Sequence, residues 1–339
     1  MSNNANAHWI TWENHRRSRE LADAFDAEYA CFEREAPTLV RYLLLSARTA
    51  VFILRRRSRL VFCQNPSIAL TGLLCMLRKV MGYTLVVDRH SNFMLETLSS
   101  PAIRWRLYHA LSRWTVRNAD LTIVTNKGLA EVVHDWGGHA YVLQDRIPQL
   151  QPSRPRRRPD CLGEPRGRTI MCITSYADDE PIEELVEAFA ISTDVTAYFT
   201  GDYRGTPWAY RVEELGSQGI VLTGFINEQD YVDLMDNVDA VMVLTTGENV
   251  LTCGAYEALS LGKPLILSDT HALRSYFGKT MVYVAPNAAS IRKGVNEVLE
   301  RREELKGKVS GTAENLRADW YRRFDRLRRQ LQHEDELQA

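Results

Sequence analysis

The feature that most constrains this chain is a repeated alternation. Short uninterrupted apolar runs are each followed by a loop and then a stretch with helical periodicity. "RLVFCQNP", "YTLVVDRH" and "DLTIVTN" read as strands, with "SIALTGLLCMLRKVMG", "SPAIRWRLYHALSRWTVRNA" and "KGLAEVVHDWG" as the helices between and after them. His8 to Thr11 reads as a short first strand, followed by a helix in "ENHRRSRELADAF". A strand that is apolar at every position must be covered on both faces. This pattern therefore predicts a parallel sheet with helices on either side, not an antiparallel sheet with one wet face.

The rhythm stops once. "QLQPSRPRRRPDCLGEPRGR", Gln149 to Arg168, is rich in Pro and Arg and has no period, so it reads as a linker or surface loop. The alternation then restarts with "TIMCITS", "VTAYFTG", "IVLTGF", "DAVMVLTT", "PLILSD" and "MVYVAP" as strands. "PIEELVEAFAIS", "WAYRVEELGSQ" and "NEQDYVDLMDNV" are the helices among them. The expectation is an α/β chain of two Rossmann-like domains. Residues 1–150 form the first, 151–168 the linker and 169–310 the second, while 311–339 form a terminal helix crossing back to the first. Ligands of such sheets sit at the carboxyl ends of the strands. The loops starting near Glu13, Gln64, Asp88, Thr174, Gly201, Gly224 and Gly247 are therefore expected to face a cleft between the domains.

Charge separates the halves. The formal net charge is -1, so no dominant polyanionic partner is expected, and nucleic acid is the weakest of the binding readings. Between Ala36 and Asn118, however, thirteen Arg and Lys face two acids, Asp88 and Glu96. The basic segments Arg41 to Arg59 and Arg104 to Arg117 also carry apolar residues. They suggest an anionic membrane surface as a partner of the N-terminal domain, with packing of those apolar faces on the sheet as the alternative. The longest apolar stretch there, "YLLLSARTAVFIL", is about 13 residues and is interrupted by Arg48, whereas a span needs roughly 20. Six cysteines without a CxxC pair argue for free thiols rather than a zinc site. A cytoplasmic location, peripheral on the inner face of a membrane, is the resulting expectation.

The segment "TTGENVLTCGAYEALSLGKPLILSD", Thr245 to Asp269, carries the chemistry. A buried strand opens into a helix whose apolar residues surround one carboxylate, Glu257. The helix start offers N–H groups near Val250, Leu251 and Thr252 that can face an anion, with a dipole contribution of about 0.3–1 kcal/mol.

In "TIMCITSYADDEPIEELVEAF", "YFTGDYRG", "IVLTGFINEQDYVDLMDNVDAVMVLTT" and "GAYEALSLGKPLILSD" the chain resembles GT-B glycosyltransferases. It is similar to glycosyltransferase family 4 and, in "ITSYADDE" and "INEQDYVDLM", to the chitobiosyldiphosphodolichol β-mannosyltransferases. The resemblance implies a GT-B fold and a metal-independent hexosyltransferase. It implies a GDP- or UDP-linked sugar donor as substrate, no further cofactor, and a glycan or lipid-linked acceptor in cell-surface polysaccharide assembly. It implies that Glu257 holds the ribose hydroxyls, since one carboxylate accepts from two adjacent O–H groups. Relatives place a second Glu eight positions earlier. Here that position is Asn249, preceded by Glu248, and either residue can face the donor sugar. The Arg and Lys that relatives aim at the diphosphate fall on Ser175 and Glu180, which leaves Arg204 in "GDYRG" as a substitute cation. The base is expected against Gly224, Phe225 and Ile226, where the Gly is equally a plain strand-end turn.

In the first half, "VVDRHSNF" resembles the strand-end Asp-x-His of the β-mannosyltransferases. This implies His90 beside the reacting sugar and Asp88 orienting it, against the alternative of a structural His. Glu13 in "WENHRRSREL" is a candidate base for the acceptor hydroxyl, and Arg16 or Arg17 for a pyrophosphate; the plain alternative is a solvated helix start. The same scaffold also admits a nucleotide-sugar epimerase or a non-catalytic sugar- or lipid-binding protein.

Overall fold

The computed structural model describes residues 7–65, 67–90, 93–192 and 194–338, without the side chains of 334–338. The chain divides into two compact units: Met1–Arg146 with Trp320–Ala339, and Ile147–Asp319.

The first unit is built on a six-stranded parallel sheet of order β2-β1-β3-β4-β5-β6. Its elements are β1 (Ala7–Thr11), α1 (Arg16–Ala24), β2 (Glu28–Cys31), α2 (Thr38–Arg56), β3 (Leu60–Asn65), α3 (Ile68–Met81), β4 (Thr84–Arg89), α4 (Ile103–Asn118), β5 (Leu121–Val124), α5 (Lys127–Asp135) and β6 (Ala140–Val142). The central strands alternate between two cores. Trp9, Phe62, Val86 and Ile123 pack on one face with Leu21 and Phe25. Ile10, Val61, Leu85 and Val87 pack on the other with Ile53, Leu70 and Leu74. Both faces are filled, which is why these strands read as unbroken apolar runs. Edge strands β2 and β6 escape sequence reading because they are short and half-exposed.

The second unit carries β7 (Arg168–Cys172), α6 (Ile182–Ala190), β8 (Val195–Thr200), α7 (Val212–Ser217), β9 (Ile220–Gly224), α8 (Glu228–Asn237), β10 (Ala240–Val243), α9 (Cys253–Ser260), β11 (Leu265–Ser268), α10 (His271–Phe277), β12 (Val282–Val284) and α11 (Ala288–Glu300). Its sheet has the order β12-β11-β10-β7-β8-β9, again all parallel. The chain leaves β7 toward β8 and returns at β10 on its other side. The β7/β10 pair is therefore the topological switch point, where the two adjoining loops diverge and leave a crevice. In the first unit the corresponding pair is β1/β3.

Three local readings change. The helix expected over "WAYRVEELGSQ" is a 3-10 turn, Pro207–Tyr210, followed by α7. The Thr206 hydroxyl accepts from the Trp208 N–H at 3.2 Å and starts that turn early. Of the two readings of the Pro/Arg-rich stretch, linker or surface loop, the structure has the loop: Ser153 donates from N and Oγ to Asp233 (2.8 and 2.7 Å) and Arg157 Nε reaches the same carboxylate at 3.0 Å. Short α10, capped by the Thr270 hydroxyl and absent from the sequence reading, lies between β11 and β12.

Helix α12 (Arg302–Gln338) runs through both units. Leu305, Val309 and Ala313 are buried in the second unit's cores. Trp320, Phe324, Leu327 and Leu331 enter the first unit's core, with Trp320 stacked on Phe324 at 5.0 Å.

Candidate functional site

At the second unit's switch point two loops are tied together. The Thr245 hydroxyl donates to Asp179 Oδ2 at 2.7 Å, and the Thr246 N–H donates to the Asp179 carbonyl at 2.7 Å. The β7 end also packs tightly on its neighbours. A β-carbon on Gly201 would lie 2.3 Å from the Thr174 carbonyl oxygen, and Gly201 has φ +93°, so both space and backbone demand glycine there. A β-carbon on Gly254 would meet Ile173 at 2.8 Å, which brings the start of α9 close to β7.

Helix α9 starts at this crevice. Thr252 is its N-cap in extended conformation, and its side chain makes no capping bond. The Thr252 Oγ1 atom is buried without a partner. The expected amide set shifts by a few residues. Val250 N–H turns to the Gly247 carbonyl at 3.4 Å and Leu251 is buried in the loop. The first helical turn therefore begins at Cys253, with the Ala255 N–H closing on the Thr252 carbonyl at 3.1 Å.

Glu257 sits one turn further along α9, half-buried between buried Tyr256 and Ala258. Its Oε2 accepts from the Tyr231 hydroxyl on α8 at 2.7 Å. Burial and the Glu257 charge push the Tyr231 hydroxyl well above its ordinary range, so it remains a donor. Tyr231 was not singled out in the sequence; it stands 26 residues before Glu257 and only helix packing joins them.

The other donor-side candidates are distributed less simply. Glu248 is exposed, and its Oε1 accepts from the His271 N–H at 2.5 Å, at the start of α10. Asn249, beside it, is half-buried. Ser175 does not stand as an open hydroxyl: its N–H and Oγ both donate to Glu180, at 2.8 and 2.9 Å, and the Tyr176 N–H joins them at 2.8 Å. Arg204, the expected substitute cation, already has an acidic partner. Its Nε and Nη2 fork onto Asp202 at 2.7 and 2.6 Å, in solvent. Gly224 ends β9 with φ +68°, the conformation of a strand-end turn. Phe225 then projects outward, 84 % exposed, while Ile226 packs back on the core.

The Gly-Lys-Pro of the same segment lies elsewhere. Lys263 lines a cavity of about 530 Å3 at the amino ends of β10 and β11, away from the crevice. Its Nζ donates to the carbonyls of Asp236 (3.2 Å) and Val238, closing the carboxyl end of α8. Burial pushes this amine down to about 8.

In the first unit, Asp88 and His90 meet at the end of β4, with His90 Nδ1 3.2 Å from Asp88 Oδ2. Asp88 is fully buried and receives Arg17 Nε at 3.0 Å and Nη2 at 2.9 Å. Arg17 also donates to Asp145 at 2.5 Å and to the Leu143 carbonyl at 2.9 Å. The guanidinium is thus spent inside the fold and is not a pyrophosphate ligand; Arg16 bonds Glu20 at 2.8 Å. Burial alone would raise the Asp88 carboxyl, but the Arg17 charge and the His90 contact outweigh it and hold it well below the usual range. His15 stacks on His90 with centroids 4.9 Å apart. Burial, then the neighbouring His90, lower the His15 pKa. Glu13 is exposed and lines a separate pocket of about 90 Å3 with Trp12, Arg41 and Tyr42. Among the described residues no group of three or more His, Cys, Asp or Glu is placed to hold a metal ion.

Residues 167–301 match a family model described as glycosyl transferases group 1. A search of curated proteins by sequence finds no match. Solved structures match along most of the chain. Sucrose-phosphate synthase from Thermosynechococcus elongatus aligns with a TM-score of 0.70 at 17% identity, over 90% of this chain and 84% of that one. Anabaena HepE in complex with UDP and glucose aligns with 0.69 at 16%, over 96% and 90%. A lipopolysaccharide outer core galactosyltransferase in its apo form aligns with 0.64 at 14%, over 94% and 98%.

Proposed function

We infer that this chain, GT-B in fold and matched over residues 167–301 by glycosyl transferases group 1, is a glycosyltransferase that moves a sugar from a nucleotide diphosphate to a glycan or lipid-linked acceptor. The observation that carries this reading is the α9 start. A partnerless Thr252 hydroxyl and first-turn amides stand at the switch point, with the Glu257 carboxylate one turn behind them. The spacing suits a nucleoside diphosphate, with phosphates at the helix start and ribose hydroxyls on Glu257. Phe225, exposed at the end of β9, offers a face for the base.

In the reaction the acceptor oxygen bonds to the anomeric carbon as that carbon's bond to the phosphate oxygen breaks. The acceptor's proton is taken by a base or by the departing phosphate. Negative charge grows on the diphosphate, where fixed amides and the α9 dipole stabilise it without reorganising. In this reading His90, oriented by Asp88, donates to the sugar or the leaving phosphate, and Glu13 serves as base if the anomeric centre inverts. Either Glu248 or Asn249 contacts the donor sugar.

Titration calorimetry with UDP- and GDP-linked sugars tests the assignment; UDP comes first because the Anabaena structure holds it. Glu257→Ala removes two hydrogen bonds to a charged acceptor, each about 1.5–3 kcal/mol. Donor affinity should fall at least a hundredfold. An unchanged dissociation constant refutes the reading.

A further inference from the structure

We propose that the face formed by α2, α3 and α4 docks on an anionic lipid bilayer. The proposal stands apart from the donor site, in the other unit. Contacts join α2 to α3 and α3 to α4, so the three helices lie side by side.

Each helix has an apolar face turned away from the core. Helix α2 anchors itself through Leu45, Thr49 and Ile53, spaced four apart. Its opposite side presents Leu39 (73 % exposed), Leu43 (65 %), Val51 and Leu54 at the same helical spacing. On α3 the exposed pair is Met76 and Val80, the latter at 84 %. On α4, Ile103 (74 %), Leu107 (64 %) and Leu111 recur every fourth residue. Among the described residues, twelve of the eighteen large hydrophobics that are exposed lie on α2, α3 and α4. A soluble monomer rarely leaves so many on one face, and a patch of this kind marks an interaction site. Among the described residues no helix is long and apolar enough to cross a membrane.

Charge selects the occupant. Arg48 and Arg55 on α2 and Arg104, Arg106 and Arg113 on α4 are exposed around the stripes. Of the two acids in this part of the chain, Asp88 is fully buried and paired with Arg17, so Glu96 alone sets a carboxylate at the surface. Apolar stripes flanked by cations match a bilayer with anionic headgroups: the side chains insert at the interface and the guanidinium groups meet phosphates. A second copy fits poorly, because two-fold pairing would press the same positive surface against itself.

Flotation of the full chain with phosphatidylcholine vesicles, with and without phosphatidylglycerol, tests this. Binding should require phosphatidylglycerol and weaken as salt rises. Arg55→Gln/Arg104→Gln/Arg106→Gln should lower affinity about fivefold per charge, roughly a hundredfold together. Leu39→Ser/Leu43→Ser/Leu107→Ser should lower it about tenfold or more. These side chains are exposed, so melting temperatures should hold. Tyr210→Ser, an exposed aromatic in the second unit, should float like the wild type. Equal binding to both vesicle types, no binding to either, or flotation indifferent to the substitutions overturns the proposal. So does a dimer in sedimentation that the leucine substitutions dissociate.

Discussion

Replacing Asp88 with Asn tests whether the buried pair under His90 is a structural keystone. The carboxylate is fully buried and receives Arg17 through Nε and Nη2. Asn keeps the volume and one acceptor but removes the charge, leaving the buried guanidinium with Asp145 and the Leu143 carbonyl. Removing one partner of a buried ion pair costs about 3–5 kcal/mol. Asp145 still compensates in part, so the lower end, ~3 kcal/mol, is expected. For a domain of this size that is roughly 6–12 °C in melting temperature. The assay is intrinsic fluorescence, because six of the seven tryptophans lie in the first unit. The pH dependence has a definite sign. The Asp88 pKa is depressed in the folded state, so its stabilisation is complete above the unfolded carboxylate value of about 3.9. It is lost as pH falls below that value toward the lower folded pKa. Wild type and Asp88→Asn should therefore differ at pH 7 and converge under acid. Equal melting at neutral pH, or a gap that persists undiminished into acid, would refute the reasoning.

The remaining predictions are smaller in scope. Gly201→Ala forces a β-carbon against the Thr174 carbonyl at left-handed φ, and should destabilise the second unit by at least ~2 kcal/mol in urea unfolding. Arg204→Ala should leave both melting temperature and donor affinity unchanged, because the guanidinium pairs with Asp202 in solvent. Phe225→Ala should weaken donor binding about fivefold or more while leaving the melting temperature unmoved, read by calorimetry and a thermal scan.

Sequence reading went furthest where one local rule decides the outcome. An unbroken apolar run such as "LVFC" or "AVMV" can only be covered on both faces, so parallel sheets were legible in both halves. The placing of Glu257 on a helix behind β10 was legible too, whereas the first turn of α9 begins at Cys253, past the loop residues Val250 to Thr252. Strands β2 and β6 were not legible because they are half-exposed and show no unbroken buried run, and α10 because seven residues are too few to show a helical period.

By itself, then, the chain determined its strand and helix alternation, its division into two α/β halves and the carboxylate on α9, because periodicity and turn residues act over a few neighbours. Tertiary structure alone decided what each polar group spends its bonds on. Arg17 looked free for a phosphate until Asp88, 71 positions away, claimed it. Lys263 looked like part of the nucleotide segment until the end of α8 took its amine. Glu257 gained Tyr231 from another helix. Charges and hydrogen bonds are satisfied in three dimensions, and spacing along the chain carries almost no record of which partner arrives.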